Sequence, residues 1–375
     1  MRFLHLHSSF NPGGKELRAA KLINLFGPGI EHAIVSGVPG ALGAAEAIDP
    51  AMRVSYPPGF PGLTGTPSPA RLWRLAKAMR GHDLVLTYNW GAMDAVMAHR
   101  LFAGVLGLPP LVHHEDGFNQ DEVAGLNPRR NQFRRLALPG AARLVVPSRR
   151  LEGIALGEWR QPAARVRRIP NGIPLGDYGE GAGADGLPGL PKAPGALWLG
   201  TLAGLRAVKN LPRLVRAFGA MPEPWQLVIV GEGPERDAIL AEAARLGLSA
   251  RVHLPGHAPD PAKVLGAFDL FALSSDSEQF PISVVEAMAA RLAVVSPAVG
   301  DVAAMVTPEN RGWIVPPGDE AALGTALAAA ASDPAARATI GRANRVLAEA
   351  EYAEAAMLAA YRETYGTAMG GRTLP

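Results

Sequence analysis

Short apolar runs alternate with longer helical or turn-rich segments along both halves of the chain. They lie at residues 2–7, 33–35, 84–86, 111–113 and 144–146, and again at 196–199, 226–230, 251–254, 270–273 and 293–296. Such runs, separated by helices, are typical of parallel strands that are buried on both faces. The sequence therefore predicts an α/β protein with two Rossmann-like sheets.

A segment without periodicity separates the two series of runs. The chain has 375 residues, which is longer than one core of ordinary size, and residues 176–195 are crowded with Gly, Pro and Ala. This composition is typical of a flexible surface connection. We expect domains at 1–175 and 196–354, joined by this linker, and a C-terminal helix and tail at 355–375. We expect the C-terminal helix to return to the N-terminal domain.

The composition excludes several classes of protein. Because the chain has no cysteine, it holds no disulfide, thiolate zinc site, iron–sulfur cluster or cysteine nucleophile. No apolar run reaches the roughly 18 residues that a bilayer span needs. The N-terminus lacks the features of a secretory signal, so we expect a cytoplasmic protein. The net charge is only +3 and aromatic residues are not interleaved with basic ones, which argues against nucleic-acid binding.

A dense group of polar side chains follows the apolar run 270–273. Glu278 precedes a predicted helix, Glu286 lies within it, and Pro281 suits its first turn. Free amides at 282–284 would favour an anion such as phosphate. A carboxylate beside a polyol accepts hydrogen bonds from hydroxyls, so one glutamate would contact a sugar and the other a ribose. Alternatively, Glu278 caps the helix and Glu286 is solvated.

Several short motifs, taken in chain order, resemble those of one enzyme family. They are Gly-Gly-Lys-Glu at 13–16, Asn-Gly at 171–172, Val-Lys-Asn at 208–210, Gly-Glu-Gly-Pro at 231–234, and Glu278 with Glu286, with seven residues between the two glutamates. On these motifs the chain resembles the retaining glycosyltransferases of family 4, which have the GT-B fold, over nearly its full length. Residues 112–171 also resemble sugar transferases of bacterial exopolysaccharide assembly.

The resemblance implies a site in a cleft between two lobes. The C-terminal lobe would hold a nucleoside-diphosphate sugar, with Glu286 on the ribose and Glu278 on the transferred sugar, and the acceptor would approach from the N-terminal lobe. Amides of the segment 280–283 would contribute, namely those of Phe280, Pro281, Ile282 and Ser283. The resemblance further implies retention of configuration, with front-face attack by the acceptor and the departing phosphate as base.

Breaking the sugar–phosphate bond leaves negative charge on the diphosphate, so the site needs cations. Lys209, one of only six lysines, is the first candidate, and Arg206 is the second. No acidic residues have the spacing of a metal-bridged diphosphate site, so we expect neither a metal nor another cofactor.

Two pairs of glycines are candidates for close approach to the ligand. Gly13 and Gly14 follow the first apolar run, where a bare backbone would approach the diphosphate or the acceptor. Gly231 and Gly233 would do the same on the nucleotide side. An ordinary tight turn is the alternative at both places.

The chain departs from the family pattern at several positions. Asp116 stands where a histidine is usual, and His114 lies two residues earlier. Asp116 would stabilise positive charge at the anomeric carbon or accept the acceptor's proton, whereas His114 would accept that proton only if the loop is shifted. Gly204 replaces an arginine, while Gln279 and Arg291 each replace a glycine. These departures leave open a catalytically silent sugar-nucleotide-binding protein.

Arginine is concentrated in the first lobe, where residues 129–168 hold eleven arginines and only two acidic residues. With the basic, tryptophan-containing segment 71–80, this favours contact with anionic lipid headgroups or with a lipid-diphosphate acceptor. Solvated arginine is the alternative. The sequence as a whole predicts transfer of a sugar from a UDP-sugar to a glycan or lipid-linked acceptor, in cell-surface polysaccharide assembly at the inner face of the membrane.

Overall fold

A computed structural model of the chain describes residues 1–118, 122, 125–178, 186–187, 189–258 and 260–375. These residues form two units, Met1–Pro170 with Met357–Pro375, and Asn171–Ala356. Each unit contains a parallel sheet covered by helices, as the alternation of apolar runs predicts. The predicted linker 176–195 includes residues 179–185 and 188, which lie outside the described residues.

The first unit contains the strands β1 (Arg2–His7), β2 (Glu31–Ser36), β3 (Arg53–Ser55), β4 (Leu84–Tyr88), β5 (Leu111–His114), β6 (Arg143–Val146) and β7 (Val166–Arg168). They form a parallel sheet in the order β3-β2-β1-β4-β5-β6-β7. β4 and β5 are buried at every residue, because helices cover both faces of the sheet.

The helices of this unit are α1 (Gly14–Phe26), α2 (Pro69–Ala78), α3 (Met93–Leu106), α4 (Pro128–Ala137) and α5 (Arg149–Gly157), together with α13 (Glu354–Ala368), which belongs to this unit from Met357 onwards. One core cluster joins α2, α3, α4 and α5 to one face of the sheet. A second cluster joins α1 and α13 to the other face. The predicted return of the C-terminal helix to the N-terminal domain is therefore confirmed.

The second unit contains the short antiparallel pair β8 (Gly186–Leu187) and β9 (Leu190–Pro191), and the strands β10 (Leu197–Leu202), β11 (Trp225–Val230), β12 (Val252–Gly256), β13 (Leu270–Ala272), β14 (Val294–Pro297) and β15 (Ile314–Val315). The last six form a parallel sheet in the order β12-β11-β10-β13-β14-β15. The pair β8 and β9 lies inside the segment 176–195, which was predicted to be a flexible connection.

The helices of the second unit are α6 (Leu211–Phe218), α7 (Arg236–Arg245), α8 (Pro261–Gly266), α9 (Ile282–Ala289), α10 (Val302–Met305), α11 (Glu320–Ser332) and α12 (Pro334–Glu351). Two core clusters pack them against the sheet. In the part of the chain that the structure describes, no helix combines the length and the apolar character needed to cross a bilayer.

Candidate active site

Two polar loops meet at one edge of the sheet in the second unit. One loop, residues 203–210, follows β10, and the other, residues 273–281, follows β13. β10 and β13 pair in parallel, so their carboxyl ends lie at the same edge. In open α/β sheets, ligands bind at this edge. The two loops carry Lys209 and Glu278, two of the residues expected in a donor site.

Lys209 and Glu278 are in direct contact. Lys209 Nζ donates a hydrogen bond to Glu278 Oε1, and Ser275 Oγ donates to the same oxygen at 2.7 Å. The side chains of Lys209 and Glu278 are 15% and 12% exposed, so water screens their ion pair only in part. The structure thus brings together two predicted residues that lie 69 positions apart. It also places Ser275 in this group, a residue that was not predicted from the sequence.

Two further hydrogen bonds and an ion pair stabilise this arrangement of the two loops. Ser274 Oγ donates to the Lys209 carbonyl at 2.9 Å, and the Asp276 amide donates to the Val208 carbonyl at 2.9 Å. Arg213 Nη1 pairs with Asp276 at 2.6 Å. These contacts hold the loop of Lys209 against the loop that follows β13, so the ammonium group is positioned in advance.

The helix that follows the second loop, α9, begins at Ile282, and Pro281 is its N-cap residue. The amides of Ile282 and Ser283 belong to its first turn, where N–H groups have no carbonyl partner one turn earlier in the helix. Pro281 cannot supply an amide, contrary to the sequence expectation, because proline has no N–H group. The Val284 amide, expected to be free, donates to the Pro281 carbonyl at 3.1 Å.

Glu286 lies one turn along α9 and is half-buried. The Tyr178 hydroxyl forms a hydrogen bond with its carboxylate; burial, and then the charge of Glu286, raise the pKa of Tyr178. Arg345 Nη1 donates to the carbonyls of Tyr178 at 3.0 Å and of Ala289, in the last turn of α9, at 2.7 Å. Tyr178, which the sequence analysis missed, is thus fixed relative to α9 and orients Glu286.

Gly231 and Gly233 are explained by packing of the protein on itself. Their φ angles are 143° and 155°, a region that favours glycine. A Cβ at Gly231 would lie 1.9 Å from the Ala203 carbonyl oxygen, and one at Gly233 would lie 2.4 Å from that of Leu205. The absence of a side chain thus allows close approach to the loop after β10. The approach of a nucleotide to these glycines stays a prediction.

Arg206 is exposed on the loop after β10. Its Nε lies 3.7 Å from the position that a Cβ of Gly204 would occupy. The guanidinium group thus runs beside the glycine that replaces the usual arginine. This placement makes Arg206 available as a second cation at the edge that carries Lys209.

Three further positions of the predicted donor site show different environments. Phe280 is partly buried against Tyr352, with ring centroids 5.8 Å apart. Gln279 Oε1 is buried without a hydrogen-bond partner. Arg291 has a φ of 59°, the conformation that the usual glycine supplies at the end of a helix.

In the first unit, Asp116 follows β5 and is held by Arg18 of α1. Arg18 Nη2 donates to Asp116 Oδ2 at 2.7 Å, and Nη1 donates to Oδ1. The Asp116 amide donates to Asn89 Oδ1 at 2.7 Å. Burial acts to raise the pKa of Asp116, but the charge and hydrogen bonds of Arg18 outweigh it and hold the pKa below its usual value. Asp116 is therefore ionised at neutral pH. Arg18 and Asn89 were not predicted.

His114 is buried, and both of its ring nitrogens have partners. Nδ1 lies 3.2 Å from the Thr87 carbonyl oxygen, which only accepts hydrogen bonds, so the network places the proton on Nδ1. Nε2 accepts from the Tyr365 hydroxyl at 2.9 Å. Burial lowers the pKa of His114 to about 3. His114 is thus a neutral group of the core, and the structure does not support it as the acceptor of the substrate's proton.

The first glycine loop leaves space at one position. Gly13 is the N-cap of α1 with an extended backbone, and a Cβ there would lie 2.8 Å from Glu16 Oε2. A Cβ at Gly14 would meet no atom within 4 Å. Lys15 pairs with Glu16, and both side chains are little exposed. The surface beside Gly14 is therefore open to a ligand.

Several arginines of the arginine-rich stretch, residues 129–168, contact other groups of the protein and are less available to a membrane than the sequence implies. Arg134 is 0% exposed, its Nε donates to Glu115 at 3.1 Å, and its guanidinium lies 5.1 Å and 4.9 Å from the ring centroids of Trp90 and Trp159. Arg134 is therefore a core residue and cannot contact a membrane. Other arginines pair with acidic residues: Arg135 with Glu158, Arg167 with Glu363 and Arg168 with Glu152.

Two family models match the chain. One, described as glycosyl transferases group 1, matches residues 191–346, and the other, described as Glycosyltransferase Family 4, matches residues 26–177. The first range contains Lys209, Glu278 and Glu286, and the second contains Asp116. The matches thus include predicted site residues of both units, although Gly13 and Gly14 precede the matched ranges.

Individual proteins match over different lengths. EpsF of Bacillus subtilis (strain 168), described as a glycosyltransferase, is 30% identical over 223 residues, which are 54% of this chain and 56% of EpsF. D-inositol 3-phosphate glycosyltransferase of Kribbella flavida is 27% identical over 312 residues, 76% of this chain and 73% of that protein. The chain therefore spans little more than half of EpsF.

A solved structure matches over nearly the whole chain. Anabaena Alr3699/HepE, crystallised in complex with UDP, gives a TM-score of 0.80 at 20% identity and covers 98% of this chain and 100% of its own. At this identity the likeness establishes the fold, which is the one that the sequence motifs predict.

Proposed function

We propose that this chain, which belongs to the family 4-like glycosyltransferases of GT-B fold, transfers a sugar from a nucleoside-diphosphate sugar to a glycan or lipid-linked acceptor. The observation that carries the proposal is the convergence of Lys209 and Glu278 at the carboxyl ends of two adjacent strands. Such a site offers a cation to a diphosphate and a carboxylate to sugar hydroxyls.

The leaving diphosphate would be stabilised by Lys209, with Arg206 as a second cation and the first-turn amides of α9 as further donors. At an effective dielectric constant of about 20, unit charges about 4 Å apart interact by about 4 kcal/mol. An interaction of this size is enough to govern turnover. The UDP complex of HepE supports a uridine nucleotide as the donor.

The two glutamates would bind the hydroxyl groups of different parts of the donor. Glu278 lies beside Lys209 and would accept hydrogen bonds from the transferred sugar, while Glu286, oriented by Tyr178, would accept those of the ribose. Gln279, in place of the usual glycine and with a buried oxygen that has no partner, would influence the choice of sugar.

We also propose that the reaction needs no metal ion. In the described ranges, no group of three or more His, Asp or Glu residues is arranged to hold one. The side-chain cations and amides of the second unit would carry out the charge stabilisation that a metal performs elsewhere.

Transfer is proposed to retain the configuration of the sugar, by front-face attack with the departing phosphate as base. Asp116 is ionised and bound to Arg18, so it is better suited to stabilising positive charge on the sugar ring than to taking up a proton.

An acceptor carried on a lipid would require contact with a membrane. Three helices on one face of the first sheet support such contact. α2 exposes Arg74 and Lys77, α3 exposes Leu101 and Val105 at 54% and 79%, and α4 exposes Leu136 at 56%. We call these five residues the α2–α4 surface. Cationic and aliphatic side chains together suit an anionic bilayer, in keeping with cell-surface polysaccharide assembly at the inner face of the membrane.

The test is incubation of the protein with a panel of UDP-, GDP- and ADP-sugars without added metal, followed by chromatography for released nucleotide. Slow hydrolysis of one donor, faster with a suitable acceptor and lost in Lys209→Ala, would support the proposal. Thermal stabilisation by a sugar nucleotide that is never cleaved would instead identify a catalytically silent binding protein.

A further inference from the structure

In the proposed donor site of the second unit, the positive charge of Lys209 is neutralised by the carboxylate of Glu278. Lys209 contacts Glu278, and the two side chains expose little of their surface. Both Lys209 and Ser275 bind Oε1 of Glu278. Oε2 accepts no hydrogen bond from a residue that the structure describes. The carboxylate therefore holds the ammonium group through one oxygen and presents the other to a ligand.

This arrangement affects two ligands in opposite ways. A nucleoside diphosphate brings negative charge towards the Glu278 carboxylate and offers it no sugar hydroxyl. The like charges repel, and screening is incomplete because the carboxylate is partly buried. A sugar nucleotide also brings a charged diphosphate, but its sugar hydroxyl groups donate to the open oxygen and offset the repulsion. The same carboxylate thus opposes one ligand and binds the other.

We propose that Glu278 makes the site selective for the sugar nucleotide over the nucleoside diphosphate that remains after transfer, by competing with phosphate for Lys209 when no sugar is present. The proposal rests on the proposed function, since it takes these two ligands to be substrate and product. In this proposal Glu278 has a specificity role in addition to its contact with the sugar. Weaker binding of the nucleoside diphosphate would also favour release of this product after transfer.

The experiment measures the dissociation constant of UDP by isothermal titration calorimetry at about 0.15 M ionic strength. Glu278→Gln keeps the shape of the side chain and removes its charge. We expect UDP to bind Glu278→Gln about tenfold more tightly than the wild-type protein. A gain in affinity is informative because misfolding would weaken binding. Glu278→Ala removes the same charge and should also bind UDP more tightly, which provides a second variant if the first folds poorly.

Glu286→Gln is the matched control, because it removes the other carboxylate of the site by the same isosteric change. It should weaken UDP binding, since that carboxylate is assigned to the ribose hydroxyls. Unchanged or weaker binding of UDP by both Glu278 variants, with a wild-type protein that binds UDP, would overturn this inference alone. An equal gain in Glu286→Gln would also overturn it, by showing a general charge effect. Absence of UDP binding by the wild-type protein would overturn the proposed donor and this inference together.

Discussion

Arg18 and Asp116 form a bidentate ion pair that connects the first helix of the chain to the loop after β5. The two side chains are 6% and 12% exposed. The Arg18 guanidinium also lies 6.0 Å from the ring centroid of Tyr361, on the C-terminal helix. An isolated carboxylate is costly to bury, so Arg18 is what allows an aspartate at a position where the family usually has a histidine.

Replacing Arg18 by Gln should destabilise the first unit. The substitution leaves the Asp116 carboxylate little exposed and without its counter-charge, and removing one partner of such a pair costs about 3 kcal/mol. Urea unfolding followed by circular dichroism measures the effect. Arg18→Gln combined with Asp116→Asn should be more stable than Arg18→Gln alone, because no uncompensated charge remains. Equal stability of the wild-type protein and Arg18→Gln would contradict the assignment.

As the pH falls, the first unit should begin to lose stability near pH 6.5, which is above the pH range in which carboxylates titrate. Burial lowers the pKa of five histidines of this unit: that of His32 to about 4, that of His114 to about 3, those of His5 and His7 well below the usual 6.5, and that of His99 below the same value. The unfolded chain therefore binds protons first as the pH falls. Stability is fully present above about pH 6.5 and declines towards pH 4, by about 1.4 kcal/mol per pH unit for each such histidine.

Urea unfolding at several pH values between about 7.5 and 5 checks this prediction. The pKa of Asp116 is lowered in the folded state, so its contribution is present above its unfolded pKa of about 3.9 and is lost only at lower pH. The two effects thus occupy different pH ranges. A stability that stays constant between pH 7.5 and 5 would show that the histidines are protonated or solvated in the folded protein.

The central strands of the first sheet were predictable from sequence, whereas its two edge strands were not. β4 is buried at every position and reads as an apolar run. β3 and β7, with sequences Arg-Val-Ser and Val-Arg-Arg, lie at the two edges of the same sheet and are only partly buried. An edge strand has one neighbouring strand and is partly exposed to solvent, so it does not need a continuous apolar run. The apolar pattern that identifies the central strands is therefore missing from these two edge strands.

Site residues in short sequence motifs could likewise be predicted, whereas those defined by contacts between distant parts of the chain could not. Lys209 and Glu278 lie in short motifs and were predicted. Arg18 binds a residue 98 positions away, and Tyr178 lies far from Glu286 in sequence, so neither contact leaves a local signal. Arg134 shows the converse, since a count of charges cannot reveal that a guanidinium is enclosed by aromatic rings.

Lys209→Ala should lower turnover by about 10² to 10³, by analogy with the loss of one donor to a developing oxyanion. Arg206→Ala should have a smaller effect, because that side chain is exposed. Steady-state release of the nucleotide measures both. Lys263→Ala is a suitable control, since the Lys263 side chain is 75% exposed and pairs with Asp260, the N-cap residue of α8. Turnover of Lys209→Ala equal to that of the control would remove Lys209 from the site.

Tyr178→Phe should weaken the binding of UDP about five- to tenfold, because Glu286 loses the hydroxyl that orients it. Binding of inorganic pyrophosphate, which has no ribose, should stay unchanged. Calorimetric titration of both ligands makes the comparison, and phenylalanine keeps the ring that packs in the core. Equal losses for the two ligands would indicate that Tyr178 acts through the fold of the unit and not through Glu286.

Binding to membranes should depend on the α2–α4 surface and not on Arg134, which is buried in the core. Wild-type protein should sediment with vesicles rich in phosphatidylglycerol and less with phosphatidylcholine alone, and added salt should weaken the binding. Leu101→Asp with Val105→Asp should reduce it, because both side chains are exposed and a carboxylate is repelled by anionic lipid. Val346→Asp, at a position 66% exposed on α12 of the second unit, is the matched control and should bind as the wild-type protein does. Equal binding to neutral and anionic vesicles, or equal losses in the control, would show that this surface does not contact lipid.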